Sequence, residues 1–235
     1  MQFPAERPPW GGLDVTIILA FFLLIMFYPS LGFSWLPAFV YCNLVYNYGI
    51  SDFMINFAAQ FLLVLLVIAL VVGWCRKASL SQVGFRHISV RNLAVYGFGW
   101  GVLIFTAVVL IGFLIQILVP VPPQQFETAL KDASLTWQTI VLVIIGAVFA
   151  PFYEEILFRG IIYPVFRARM GVWGGIAVSA LIFSLIHMDP IRILPLFVGG
   201  AGLAYIYEKS GSIYAAWAAH GTWNFIMAMS LFVKT

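Results

Sequence analysis

Two adjacent glutamates and an arginine interrupt an apolar stretch of this sequence, in the segment PFYEEILFRG at residues 151–160. Glu155 and Arg159 are four residues apart with the glutamate first, which is the favourable order for an ion pair on one face of a helix. Glu154 is rotated by about 100° from its neighbour on a helix, so Arg159 does not stand beside it in the same way. The spacing therefore predicts a structural ion pair, Glu155 with Arg159, and leaves Glu154 as the candidate for chemistry.

Two histidines stand in the apolar segments that follow. His187 ends the run SALIFSLIH, and His220 lies in IYAAWAAHGTWNF, where Asn224 comes one helical turn later. The stretch RMGVWGG predicts a tight turn centred on residues 170–171. Glu154 and His187 are equally far from that turn, so antiparallel helices would place them at the same depth. If the three helices are neighbours, all four side chains converge.

These residue types suit the hydrolysis of a peptide bond. A carboxylate with a histidine can activate a water molecule. A second histidine with an asparagine can donate hydrogen bonds to a tetrahedral oxyanion, and one such donor contributes about 3 kcal/mol. Glu154, His187 and His220 could also hold Zn²⁺ and leave a position for water. The spacing does not choose between the metal-free and the zinc-dependent mechanism.

The composition predicts that these residues lie in a helical membrane protein. The 235-residue chain is 63% hydrophobic and 9% charged, whereas soluble domains are about half apolar and a quarter charged. Long apolar runs recur and alternating strand patterns do not, so we expect an all-α, polytopic transmembrane bundle, with residues 1–235 as one integral membrane domain surrounded by lipids. The net charge of +3 does not indicate nucleic-acid binding, because a small basic excess is typical of cytoplasmic loops.

The apolar segments predict seven or eight membrane spans. Residues 35–50 contain Pro37 and Asn43 and are either an interfacial segment or the eighth span, and residues 120–136 read as a polar connector. The catalytic residues are expected in the helices of residues 138–232. The seven clear spans cover residues 14–34, 53–74, 93–119, 138–168, 172–189, 192–208 and 212–232.

The basic residues predict the orientation of the spans, because lysine and arginine concentrate in cytoplasmic loops. With seven spans and the N-terminus inside, three basic residues face the opposite side, namely Lys131, Arg192 and Lys234. Eight basic residues face the cytoplasm, namely Arg7, Arg76, Lys77, Arg86, Arg91, Arg167, Arg169 and Lys209.

Three short motifs occur in order along residues 138–232. EEILFR fits EExxxR, FSLIH fits FxxxH and HGTWN fits HxxxN. In this order they resemble the motifs of the CPBP family, which comprises the type II CAAX prenyl endopeptidases and the bacterial Abi or bacteriocin-processing membrane proteases. The resemblance implies an intramembrane endopeptidase with a bundle of about eight helices. Family members are described both as metalloproteases and as glutamate-dependent enzymes without metal.

The resemblance also implies residue roles and a kind of substrate. Glu154 would be the base that activates water, with His187 as its partner at the water, and His220 and Asn224 would be the oxyanion donors. The substrate would be a membrane-associated peptide or a lipidated, for instance prenylated, protein. We expect the protein in a bacterial inner membrane.

Two other classes of function are compatible with buried ionisable residues. A transporter or proton-coupled channel would use the glutamates and histidines as a relay. Such a protein would more readily show inverted repeats and paired broken helices, which the sequence does not display. A non-catalytic membrane scaffold would use the same side chains only as contacts between helices.

Overall fold

The computed structural model describes residues 7–28, 40, 45 and 51–233, and these residues form helices joined by short loops, with no β-strand among them. The helices of these ranges are, in chain order, α1 Gly12–Phe27, α2 Asp52–Cys75, α3 Leu80–Val83, α4 Val90–Leu118, α5 Gln125–Lys131, α6 Thr136–Leu185, α7 Pro190–Ser210 and α8 Ile213–Val233. The all-α prediction is therefore confirmed for the described part of the chain.

Four helices are long and apolar enough to cross a membrane, namely α2, α4, α6 and α7. Helix α1 is apolar but shorter, and α8 is long enough but carries His220 and Asn224, which lower its hydropathy. The predicted count of seven to eight spans is therefore not confirmed. Residues 35–50, the candidate eighth span, lie outside the described residues except for positions 40 and 45.

Helix α6 contains two of the predicted spans as antiparallel limbs. The limbs meet at Gly171, whose φ of 73° and ψ of −178° are accessible almost only to glycine. Across the turn, the Ser179 hydroxyl donates a hydrogen bond to the Phe158 carbonyl at 3.2 Å. The turn thus lies where the sequence predicted it, and residues 136–170 and 172–185 are called the first and second limbs of α6 below.

The second limb ends earlier than the predicted span 172–189. Its last residue is Leu185, so His187 lies in the turn at residues 186–188. The prediction that His187 lies inside a helical span was therefore wrong. Two local features end the helix. Met188 adopts a positive φ of 51°, and Asp189 is extended because it precedes a proline.

The centre of the bundle is formed by the first limb of α6 together with α7 and α8. Their fully buried apolar residues include Leu157, Phe158, Ile161, Leu203, Ile206, Ala216 and Ala219. The outer helices α2 and α4 leave large apolar side chains exposed, for example Leu66, Leu110 and Phe113. Such a surface is unfavourable in water, so it fits a bundle whose outer face contacts lipid.

Helix α8 approaches α6 closely at Gly221. A Cβ atom at this position would lie 2.4 Å from the Ala147 carbonyl oxygen, so only glycine fits. Ala147 belongs to a π-helical segment, Ile145–Phe149, of the first limb. Small residues allow this kind of close packing between membrane helices. The contact brings His220, the residue before Gly221, next to α6.

The basic residues that the sequence assigned to one side gather at the end of the bundle where α6 turns. The Arg76 Nε atom lies 2.9 Å from Asp14 Oδ1, and Arg167 forms two hydrogen bonds of 2.8 Å with Glu208. Arg86 donates to the Gly211 carbonyl between α7 and α8 at 3.2 Å. We call this end of the molecule the basic end; its assignment to the cytoplasm stays a prediction.

Candidate active site

The two glutamates lie in the six-residue α-helical stretch Ala150–Glu155, which separates two π-helical segments of the first limb, Ile145–Phe149 and Ile156–Ile162. π-Helical turns occur frequently at functional sites. They shift the direction of side chains relative to a regular helix. The exposure of the two carboxylates differs: the Glu155 side chain is 0% exposed and that of Glu154 is 15% exposed. Only Glu154 is therefore accessible to another molecule.

Glu155 forms a buried ion pair with Arg159. The Arg159 Nη1 atom donates to Glu155 Oε1 at 2.9 Å, and neither side chain is exposed. The Arg159 Nη2 atom donates to the carbonyl of Gly200 in α7 at 2.9 Å, and the guanidinium lies 5.0 Å from the ring centroid of Phe183. These contacts link both limbs of α6 with α7. They compensate part of the desolvation of the two charges, while Glu155 Oε2 and Arg159 Nε are buried without a hydrogen-bond partner among the described residues.

His220 lies between the two glutamates. Its Nδ1 atom is 2.7 Å from Glu155 Oε1, and its Nε2 atom is 3.8 Å from Glu154 Oε2. An ionised carboxylate only accepts hydrogen bonds, so Nδ1 carries a hydrogen and donates it to Glu155. The ring also stacks on Trp223, with centroids 5.4 Å apart. Both contacts fix the ring so that Nε2 points towards Glu154.

The gap of 3.8 Å between His220 Nε2 and Glu154 Oε2 is too long for a direct hydrogen bond. A separation above about 3.5 Å between two polar groups is the geometry that a bridging water fits. The accessible carboxylate and the ring nitrogen therefore form a place where a water molecule can contact both groups.

His187 lies on the other side of Phe183. Its Nδ1 atom donates to the Phe183 carbonyl at 2.6 Å, so in the neutral ring Nε2 is left as a hydrogen-bond acceptor. The Phe183 ring is 4.8 Å from the His187 ring and 5.8 Å from the His220 ring, centroid to centroid. The histidines therefore share one aromatic neighbour. In the described part of the chain, no hydrogen bond or ion pair joins His187 to Glu154.

Asn224 is anchored to the first limb of α6. Its Nδ2 atom donates a hydrogen bond of 2.9 Å to the carbonyl of Gly146, in the π-helical segment before the glutamates. A primary amide has two N–H groups, so the second one stays available to another acceptor. Asn224 is thus positioned by the protein, one turn beyond His220 on α8.

The geometry does not support the zinc site considered from the sequence. No group of three histidine, cysteine, aspartate or glutamate side chains in the described ranges is arranged to hold a metal ion. Glu154, His187 and His220 all lie within the described ranges. Zinc needs its ligand atoms about 2 Å from one point, and the three side chains do not provide such a set.

Sequence reasoning missed several backbone and aromatic partners of the site, including Trp223, which stacks on His220. The Gly146 and Gly200 carbonyls accept from Asn224 and Arg159, and Phe183 contacts both histidines. Backbone acceptors leave no signal in residue types. Phe183 does have one, because it stands one helical turn before His187 and is the first residue of the FxxxH motif.

Comparisons with known proteins match this part of the chain and most of its length. The family model described as Type II CAAX prenyl endopeptidase Rce1-like matches residues 136–226. An Escherichia coli relative, "Uncharacterized 24.3 kDa protein", is 31% identical over 197 residues, which cover 82% of this chain and 87% of the relative. The Bacillus subtilis protein "Putative membrane peptidase YdiL" is 27% identical over 92 residues, covering 39% of this chain and 38% of that protein. No solved structure matches.

Proposed function

Because the chain belongs to the family of Rce1-like type II CAAX prenyl endopeptidases, we propose that it hydrolyses a peptide bond in a membrane-associated protein or peptide with a water molecule activated by Glu154. The resemblance drawn from the three motifs is confirmed, and membership implies a membrane protease. The substrate, the mechanism and the residue roles below are our proposal.

The observation that carries the proposal is the position of His220 between the two glutamates. Glu155 holds the Nδ1 side of the ring at 2.7 Å, while Nε2 lies 3.8 Å from the partly exposed Glu154. A pure helix contact would need only one of these carboxylates. Two carboxylates on opposite sides of one imidazole resemble the orienting arrangement of hydrolase active sites, in which a buried acid fixes the histidine.

In the proposed reaction, Glu154 takes a proton from water while the water oxygen bonds to the carbonyl carbon of the substrate. The carbonyl oxygen becomes an oxyanion, which would accept hydrogen bonds from the free N–H of Asn224 and from His220 Nε2–H. Because the Nδ1–H of His220 is donated to Glu155, this role requires the His220 ring to carry both protons. Glu154 then returns the proton to the leaving nitrogen as the carbon–nitrogen bond breaks. The proton that Glu154 takes from water thus leaves with the amine product, and the transfer does not need a metal ion.

His187 would contact the same water through Nε2, because its Nδ1–H is committed to the Phe183 carbonyl. Glu155 would hold the His220 ring in place by accepting the hydrogen bond from its Nδ1–H. Arg159 would hold Glu155 in place through the buried pair. In this scheme Glu155 and Arg159 are positioning residues and do not touch the substrate.

A membrane setting defines the substrate class that we propose. The site lies in the part of α6 that is long and apolar enough to span a bilayer, so a substrate must reach it from the membrane. A lipidated protein terminus or a membrane-inserted peptide meets this condition. We expect the protein in a bacterial inner membrane, as a multi-pass protein.

The test is hydrolysis by the full chain in liposomes. We expect purified wild type to cleave a subset of membrane-inserted or prenylated peptides, with product masses that show the addition of one water. His220→Gln should lose this activity. Cleavage of no peptide by wild type, or the same cleavage by His220→Gln, would contradict the proposal. Coupled flux of ions or solutes without hydrolysis would instead support a transporter.

A further inference from the structure

A cavity of about 370 Å³ opens at the basic end of the bundle, between the segment before α1 and the first limb of α6. Its lining includes Arg7, Trp10, Gly11, Val165 and Arg169. A water molecule occupies about 30 Å³ in the liquid. The cavity therefore has room for a group much larger than one water, and it lies ten or more residues along α6 from Glu154, away from the candidate active site.

Two arginines give the cavity a positive charge. Both Arg7 and Arg169 are exposed, and within the described ranges neither forms an ion pair with a carboxylate. The acidic residues that the structure describes at this end are already engaged. Asp14 accepts from the Gly11 N–H and from Arg76, and Glu208 accepts from Arg167 and from the Tyr163 hydroxyl. The charge of the cavity is not neutralised by these neighbours.

Arg169 lies against the first turn of α1. A Cβ atom on Gly12 would lie 3.1 Å from Arg169 Nη1 and 3.2 Å from Nη2. The N-terminus of a helix carries a partial positive charge, so a guanidinium at this place is disfavoured unless an anion lies beside it. Asp14 in the first turn of α1 already supplies an anion to this helix end and accepts from the Gly11 N–H. The charges that a bound anion would compensate are therefore those of Arg7 and Arg169.

One wall of the cavity is apolar and fixed. Trp10 is buried, and its indole nitrogen donates a hydrogen bond of 2.9 Å to the Ile161 carbonyl of α6. Val165 is buried beside it. A positive rim next to an apolar wall, at the basic end of a membrane bundle, is the chemistry that recognises an amphipathic anion.

From these contacts we propose that the cavity binds the phosphate of an anionic phospholipid headgroup, held between Arg7 and Arg169. Basic residues at the end of membrane helices attract anionic lipids, each by an amount that corresponds to about a fivefold change in affinity. The bound lipid would tie the segment before α1 to the α6 hairpin. Inorganic phosphate has the same chemistry and must be distinguished from the lipid.

The test uses the full chain in detergent and measures its thermal unfolding midpoint and its lipid adducts by native mass spectrometry. Dioleoylphosphatidylglycerol should raise the unfolding midpoint of wild type, and dioleoylphosphatidylcholine should not. Arg169→Gln and Arg7→Gln should each need about fivefold more phosphatidylglycerol for the same shift. Arg91→Gln is the matched control, because Arg91 is exposed in the first turn of α4 and does not line the cavity. It should respond like wild type.

Two results would overturn the proposal. An equal response of wild type, Arg7→Gln and Arg169→Gln to phosphatidylglycerol would show that the anion binds elsewhere. A shift by inorganic phosphate as large as that by the lipid, at the same concentration, would exclude the lipid as the specific ligand. Should Arg169→Gln fail to fold, Arg7→Gln decides alone, because Arg7 is exposed and precedes the first helix.

Discussion

His220 Nδ1 and Arg159 Nη1 both contact the same oxygen atom, Oε1 of Glu155, at 2.7 and 2.9 Å. The second glutamate of the pair therefore compensates the buried arginine and orients the histidine at once. The sequence predicted the contact of Glu155 with Arg159 and not its contact with His220. The two contacts can be separated by experiment, because stability depends mainly on the arginine and the proposed catalysis depends on the histidine.

Removing Arg159 should destabilise the protein, and removing its partner as well should restore stability without restoring activity. Arg159→Met leaves the buried Glu155 without its cationic partner, which costs about 3–5 kcal/mol of unfolding free energy. The double variant Glu155→Leu/Arg159→Met should recover most of that loss, since apolar replacement of a buried pair is often neutral. It should stay inactive, because His220 has lost its acceptor. Denaturation in detergent and the cleavage assay check both expectations.

A second ion pair serves as the control for this cycle. Arg167 and Glu208 form a pair with 2.8 Å contacts at the basic end, away from the candidate site. The double variant Arg167→Met/Glu208→Leu should retain cleavage activity. An active Glu155→Leu/Arg159→Met variant would contradict the positioning role of Glu155.

Asn224→Leu should reduce activity far more than stability. The change removes one hydrogen bond to the Gly146 carbonyl, and such bonds contribute about 0.6 kcal/mol on average within membranes. Loss of one oxyanion donor lowers kcat by about 10²–10³. Thr222→Val is the matched control on the same helix, because the Thr222 hydroxyl only contacts the backbone carbonyl of Ala218. Comparable kcat values for the two variants would rule out Asn224 as a donor.

Gly171→Ala should destabilise the α6 hairpin. The backbone there has a φ of 73° and a ψ of −178°, and holding a non-glycine residue in such a region costs about 1–3 kcal/mol. Gly112→Ala provides the comparison, since a Cβ at Gly112 meets nothing within 4 Å and alanine favours a helix. We expect a lower thermal unfolding midpoint only for Gly171→Ala. An unchanged midpoint would mean that the turn has another conformation.

Chelation should leave the cleavage activity unchanged. The described side chains include no set of three donors placed to hold a metal ion. The proposed reaction depends on proton transfer by Glu154 and on hydrogen bonds to the oxyanion. Activity after treatment with a chelator, followed by metal analysis of the purified protein, is the measurement. Loss of activity on chelation that zinc addition reverses would require a metal-dependent mechanism.

Much of the site could be predicted from residue spacing, because helices convert spacing into geometry. The Glu155–Arg159 contact follows from their separation of four residues, and the turn at Gly171 follows from the glycine-rich stretch between two apolar runs. These features depend only on local structure. Glu154 and His220 also lie close together as predicted, although this depends on how α8 packs against α6.

Other features could not be predicted because they depend on packing between helices or on irregular backbone. Residue spacing does not predict the hydrogen bond between His220 Nδ1 and Glu155, because this contact depends on the close approach of α8 to α6 at Gly221. The π-helical segments shift the direction of the side chains that follow them, so a prediction based on regular α-helical geometry misplaces those side chains. The early end of α6, which puts His187 in a turn, results from Met188 and from the proline after Asp189.

The most direct test of the proposed mechanism is the kcat of Glu154→Gln in the liposome cleavage assay. Glutamine keeps the size of the side chain and removes the base, and Glu154 forms no buried ion pair with Arg159, so the thermal unfolding midpoint should stay near that of wild type. We predict a fall in kcat of about 10²–10⁴, the usual contribution of a general base. A kcat within a few-fold of wild type, in a variant that folds normally, would contradict the assignment of Glu154 as the base.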